Sequence, residues 1–253
     1  MTFSERQVDS ITDKNHHSVK LNRIRTQNEI CFDMWAGIRG PVVTLPGQAS
    51  SRISHLYYGI TDGFYYPLYF FELDYGTFNK MKDNHIDYME YCDHFIDFSE
   101  VTLVHGNVAD APPALVEDLD FCCAPHTVGK LILSRLKNQE EAYVESKGFS
   151  FTIYELPGTQ ADSIRLINNV IRYLGGATLI SAQTVALSGI RNDQHVVMID
   201  GDYNRSPEPK SFCYKYQPPI SANMMGKIEA ARWFRFRDRS GGYISNTFAV
   251  RYT

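Results

Sequence analysis

At 253 residues the chain has room for one large core or at most two small ones, and 43% hydrophobic with 21% charged residues is ordinary folded composition, which excludes long disorder. A net charge of −4 excludes a generally basic nucleic-acid binder. No apolar run approaches the roughly 20 residues of a membrane span.

Residues 1–28 are polar, with weak helical spacing through Phe3, Val8 and Ile11 and too little apolar surface for a core element. The N-terminus is also too polar for a signal peptide's apolar region. Ile30–Trp35 and Pro41–Leu45 read as strands separated by a Gly-rich turn. The aromatic run 64–73 (FYYPLYFFEL) reads as a third strand, and Pro67 places it at an edge or a bulge. Val101–His105 alternates briefly and ends in a turn at Gly106-Asn107. Pro112-Pro113 is expected to open a short helix through Leu119.

Val128–Leu136 suits either strand or helix, and Phe149–Glu155 is a clearer strand. The strongest helix starts near Asp162, lines up Ile164, Ile167, Ile171 and Leu174, and stops at Gly175-Gly176. Strands are expected at Leu179–Leu187, Val196–Ile199 and Ile244–Tyr252, with a helix at Met224–Trp233. Many short strands, few helices and no regular strand–helix alternation imply an α+β fold that is mainly β. The expectation is one compact antiparallel β-sandwich over residues 26–253 with flanking helices, and a projecting N-terminal helical arm at 1–25.

The chemistry-bearing motifs are sparse. There is no phosphate loop, dinucleotide fingerprint, nucleophile elbow or HExxH, which favours a protein without catalytic residues. Cys31, Cys92, Cys122, Cys123 and Cys213 read as free thiols in a reducing compartment. Cys92-Asp93-His94 and Cys122-Cys123-Ala124-Pro125-His126 lack paired zinc spacing, so no metal is expected. His16-His17 reads as a solvated pair. In Arg232–Arg239, extended backbone would put Arg235, Arg237 and Arg239 on one face and Phe234 and Phe236 on the other. That stripe suits a solvated basic face, or phosphates and a stacked base. The unusual composition is 16 Tyr and 15 Phe, which suits interfaces and β-rich cores alike.

Three stretches together resemble the polyhedrins of cypoviruses, which embed virus particles in protein crystals. They are Val101–Asn107 continuing to Pro112-Pro113, Gly148-Phe149-Ser150 leading to Glu155-Leu156-Pro157 and Ser163-Ile164, and His85-Ile86-Asp87. The resemblance implies a structural protein, not an enzyme. It would form homotrimers that build a lattice around virus particles, in occlusion bodies of the host cytoplasm. No membrane or sequence-specific nucleic-acid partner is implied. No cofactor would be required, although ATP, GTP or CTP could sit in the lattice, with His85 and Asp87 as a nucleotide or lattice-contact site. In such a lattice Tyr57, Tyr58, Tyr65, Tyr66, Tyr69, Tyr88 and Tyr91 would form a release switch, because phenols ionise only near pH 10. The competing expectations are a nucleotide- or RNA-binding viral protein using Arg232–Arg239, and a hydrolase with Cys92 or Cys123 as nucleophile.

Overall fold

The computed structural model describes residues 35, 37–45, 65–83, 101–121, 123–156, 158–175, 196–202, 214–216, 227–237 and 244–253. In chain order the elements are β1 (Gly40–Leu45), β2 (Tyr65–Glu72), α1 (Tyr75–Asp83), β3 (Val101–His105), β4 (Val116–Asp120), α2 (Pro125–Ala142), β5 (Lys147–Glu155), α3 (Gln160–Tyr173), β6 (Val196–Asp202), β7 (Tyr214–Tyr216), β8 (Ile228–Arg237) and β9 (Ile244–Tyr252).

The described strands form one nine-stranded sheet in the order β3-β2-β1-β4-β5-β9-β8-β6-β7. From β3 through β5 every neighbouring pair is parallel. The last strand of the chain, β9, inserts antiparallel between β5 and β8. This mixed, mostly parallel sheet replaces the expected antiparallel sandwich. Parallel strands need crossovers, and their helices cover the sheet faces.

On one face, Val43, Leu119, Phe149, Phe151, Phe248 and Val250 pack with Ile132 and Leu136 of α2 and Ile167 and Ile171 of α3 in one apolar cluster. The helical face expected for α3 is the face that enters this core, and Leu174 closes it. Along the strands the side chains alternate, so the opposite face receives Thr44, Asp118, Ser150, Thr152 and Thr247. All five are buried. Thr44 and Ser150 donate their hydroxyls to the two oxygens of Asp118, at 3.4 and 2.7 Å. The hydroxyls of Thr152 and Thr247 bond each other at 2.8 Å. A polar stripe thus runs under four adjacent strands, each member satisfied by the next.

Several local expectations change. The β2 strand is interior, between β3 and β1, with a bulge at its start. Gly40 pairs with Tyr65 and Val42 with Leu68, so three steps of β2 face two of β1. Pairing with β3 begins only at Leu68, which leaves Pro67 clear of that ladder. The helix expected after Pro112-Pro113 is instead strand β4, preceded by a 3-10 turn at Val108–Asp110. The helix expected at Met224–Trp233 is strand β8 from Ile228 onward. Val128–Leu136 lies within α2. The N-terminal arm, most of Ile30–Trp35 and the strand at 179–187 fall outside the described residues.

Candidate functional site

Strands β1 to β3 step outward in one direction, and the chain then passes back across β1 to add β4 and β5 on the other side. The crevice between β1 and β4 is therefore the topological switch point of the sheet. In open α/β sheets ligands bind outside the carboxyl ends of the strands at that point. Here the carboxyl ends are Leu45, Glu72, His105, Asp120 and Glu155.

At the end of β2 the chain turns sharply into α1. Oε1 of Glu72 accepts the backbone N–H of Asp74 at 2.9 Å, and Oδ1 of Asp74 caps α1 by accepting the N–H of Thr77 at 2.7 Å. The carbonyl of Glu72 accepts from the N–H of Gly106, which ties the ends of β2 and β3 together. Glu72 Oε2 has no partner among the described residues. Beside it Leu73 and Tyr75 stand 65% and 64% exposed, an uncommon place for two large apolar side chains.

The end of β3 completes the floor. The His105 ring sits between Tyr75 and Phe78, with centroids at 5.2 and 5.3 Å, and its Nε2 lies 3.2 Å from the carbonyl of Leu73. Asn107 accepts the N–H of Ala109 through its side chain, which shapes the 3-10 turn. At the end of β4 Asp120 is half-buried, while the Cys123 thiol and His126 are exposed. The Cys123 carbonyl accepts the N–H of Tyr154, fixing this turn to β5. The edge combines carboxylates and exposed aromatic surface.

Solved structures that match the chain include a precorrin-6y C5,15-methyltransferase from Geobacter metallireducens GS-15, at 9% identity and a TM-score of 0.43, covering 88% of this chain and 85% of that one. A magnesium protoporphyrin IX methyltransferase from Synechocystis PCC 6803 matches at 8% identity and a TM-score of 0.48, over 99% of this chain and 93% of that one. That enzyme has been solved with bound SAM and with bound SAH. An rRNA methylase from Streptococcus thermophilus matches at 13% identity and a TM-score of 0.39, over 89% and 95%. No family model matches the chain, and no curated protein is similar to it.

The resemblance to the cypovirus polyhedrins does not hold. It implies a β-sandwich, whereas two of the three stretches that carry it lie in parallel strands β3 and β5 of a doubly wound sheet. The expectations of a crystal-forming matrix protein, of a non-enzyme with no required cofactor or with lattice nucleotides, and of occlusion bodies rested on that family and are corrected with it. The Arg232–Arg239 reading is corrected too. The segment is extended as far as Arg237 in interior strand β8, between β9 and β6. Within it Trp233 is buried, donating its indole N–H to Asn246 at 3.0 Å, so the ring is committed to the fold.

The other proposed site residues are scattered. Arg235 and Arg237 lie on β8, at the backbone positions in register with residues 200 and 202 of β6. Tyr65 and Tyr66 begin β2, and Tyr69 is half-buried against the core. His85, Asp87, Arg239, Cys92, Tyr57, Tyr58, Tyr88 and Tyr91 lie outside the described residues. Sequence reasoning passed over Glu72, Asp74, His105 and Asn107. The signal available was an acidic residue closing an apolar strand, but it identifies a site only once that strand is known to be parallel.

Proposed function

We propose that the chain binds S-adenosylmethionine at the carboxyl edge of β1 to β4 and acts as a methyltransferase. The observation that carries this reading is Glu72 at the end of β2, beside the switch point, with one carboxylate oxygen holding the Asp74 turn and the other without a partner among the described residues. An acidic residue near this place in a nucleotide-binding sheet accepts the ribose hydroxyls.

Four further features choose among nucleoside ligands. A dinucleotide site needs two repeated parallel halves, and here antiparallel β9 follows β5, so one nucleoside is the better fit. Glu72, Asp74 and Asp120 make the edge anionic, which suits a cationic sulfonium and repels phosphates. The sequence also has no phosphate loop. Leu73, Tyr75 and the His105 ring offer a flat, partly apolar surface to a purine. Bound there, the sulfonium supplies an electrophilic methyl carbon, whose bond to sulfur breaks with its electron pair as the acceptor's lone pair bonds to the carbon. Glu72 would hold the ribose, and the Tyr75–His105 surface would orient the base.

Calorimetric titration with SAM and SAH tests the reading. Binding at micromolar concentration is expected, weakened roughly 10- to 100-fold by Glu72→Ala, since a hydrogen bond to a charged group contributes about 1.5–3 kcal/mol. Absence of binding to both ligands at millimolar concentration would refute it.

A further inference from the structure

On the outer surface of α2 and α3, away from the strand ends, lies a groove of about 610 Å³ lined by Lys130, Leu133, Ser134, Lys137, Arg172 and Tyr173, with Asn169 about one turn before Arg172 on α3. The ionisable lining is cationic except for the Tyr173 phenol, in a chain whose net charge is −4. Lys130 and Arg172 are exposed and have no ion partner among the described residues. Lys137 meets Glu141 at 3.6 Å in an exposed pair, which holds it weakly. Between the cations, half-buried Leu133 and the 40% exposed Tyr173 ring offer apolar surface.

We propose that this groove seats an acidic amphipathic helix of a partner protein. Two helices packed side by side present ridges and a groove that a third helix fills. Apolar residues of the incoming helix would lie on Leu133 and Tyr173, and its carboxylates on Lys130, Lys137 and Arg172. Lys130 and Lys137 stand two turns apart, about 10 Å along α2, which matches acidic residues seven apart on the facing helix. Electrostatic complementarity would then set orientation and association rate. A phosphate backbone fits less well, because the chain's overall negative charge opposes it and the apolar floor would stay uncovered.

The full chain, used to select from a displayed library of random 16-residue peptides, gives the test. Enrichment of acidic peptides with apolar residues spaced three and four apart is expected. Their affinity should fall at least tenfold in Lys130→Glu/Arg172→Glu, and also in Ser134→Trp, which fills the groove and leaves its charges. Lys82→Glu, on α1, should bind as the parent does, and the melting temperatures of all three variants should match it. Enriched peptides that bind all variants equally, or no enrichment, would overturn the proposal. So would a labelled single-stranded 16-nucleotide DNA that binds the groove more tightly than the selected peptides.

Discussion

Arg135 of α2 and Glu117 of β4 form an ion pair in which both side chains are 0% exposed, with Nη2–Oε1 at 2.7 Å and Nε–Oε2 at 2.9 Å. The same guanidinium donates to the carbonyls of Ala111 and Pro112. One turn further along α2 the Gln139 amide donates to the carbonyls of Ala114 and Leu115, and at the helix's C-cap the Tyr143 hydroxyl donates to that of Pro113. Three side chains from α2 and its C-cap thus bond five consecutive carbonyls, and the link from β3 to β4 crosses the sheet without an α-helix of its own. Left without a donor, the carbonyls of buried Ala111 and Ala114 would each cost about 1–3 kcal/mol.

Arg135→Met should therefore destabilise strongly, by about 3–5 kcal/mol, because it leaves the buried Glu117 carboxyl and the two carbonyls without their donor. Adding Glu117→Leu to that variant should recover a large part of the loss. Urea unfolding of both variants measures the difference. A single variant within 1 kcal/mol (about the net worth of one hydrogen bond) of the parent would contradict the clamp.

The pair also predicts a pH dependence. Burial pushes the Glu117 carboxyl up to about 7, against the opposing pull of the Arg135 charge and hydrogen bonds. A folded-state value above the unfolded one means that the fold binds the proton more tightly. The contribution is complete below the unfolded carboxylate range and is lost as pH rises through 7, by up to about 3 kcal/mol. Melting temperature should fall between pH 5 and pH 8, and Glu117→Gln should flatten the profile across that window. An unchanged slope in the variant would show that another group controls it.

Gly148 and Trp35 make a steric prediction. A Cβ placed on Gly148 would lie 2.3 Å from Cδ1 of the buried Trp35 indole. Gly148 is also held by the Leu115 carbonyl through its N–H and by Gln139 through its own carbonyl, so the strand cannot shift aside. Gly148→Ala should cost about 1–3 kcal/mol by overpacking and change the near-ultraviolet signal of Trp35. Stability equal to the parent would show that the indole moves freely.

The sequence was legible where burial and periodicity agreed. In α3, Ile164, Ile167 and Ile171 sit on a polar helix, and β1, β3, β5 and β9 are rich in β-branched and aromatic residues. It misled where tertiary contacts carry polar residues into the interior. The β4 strand reads Val-Glu-Asp-Leu-Asp, and nothing local shows that Glu117 meets Arg135 on one face while Asp118 meets Thr44 and Ser150 on the other. Strand direction was also hidden: β3 and β4 are parallel elements joined by only ten residues, where a helical crossover is the usual sign. Without strand direction, Glu72 is only a charge at the end of an aromatic run, and the candidate site could not be assembled.

Hydrogen exchange of the full chain with and without SAH tests the central claim most directly, because it reports where the ligand sits as well as whether it binds. Slowed exchange is predicted at residues 72–78 and 105–110, where the ends of β2 and β3 would hold the ribose and the base, with little change in α3. Exchange left unaltered at both segments in saturating SAH, or protection confined to the outer surface of α2 and α3, would contradict the account.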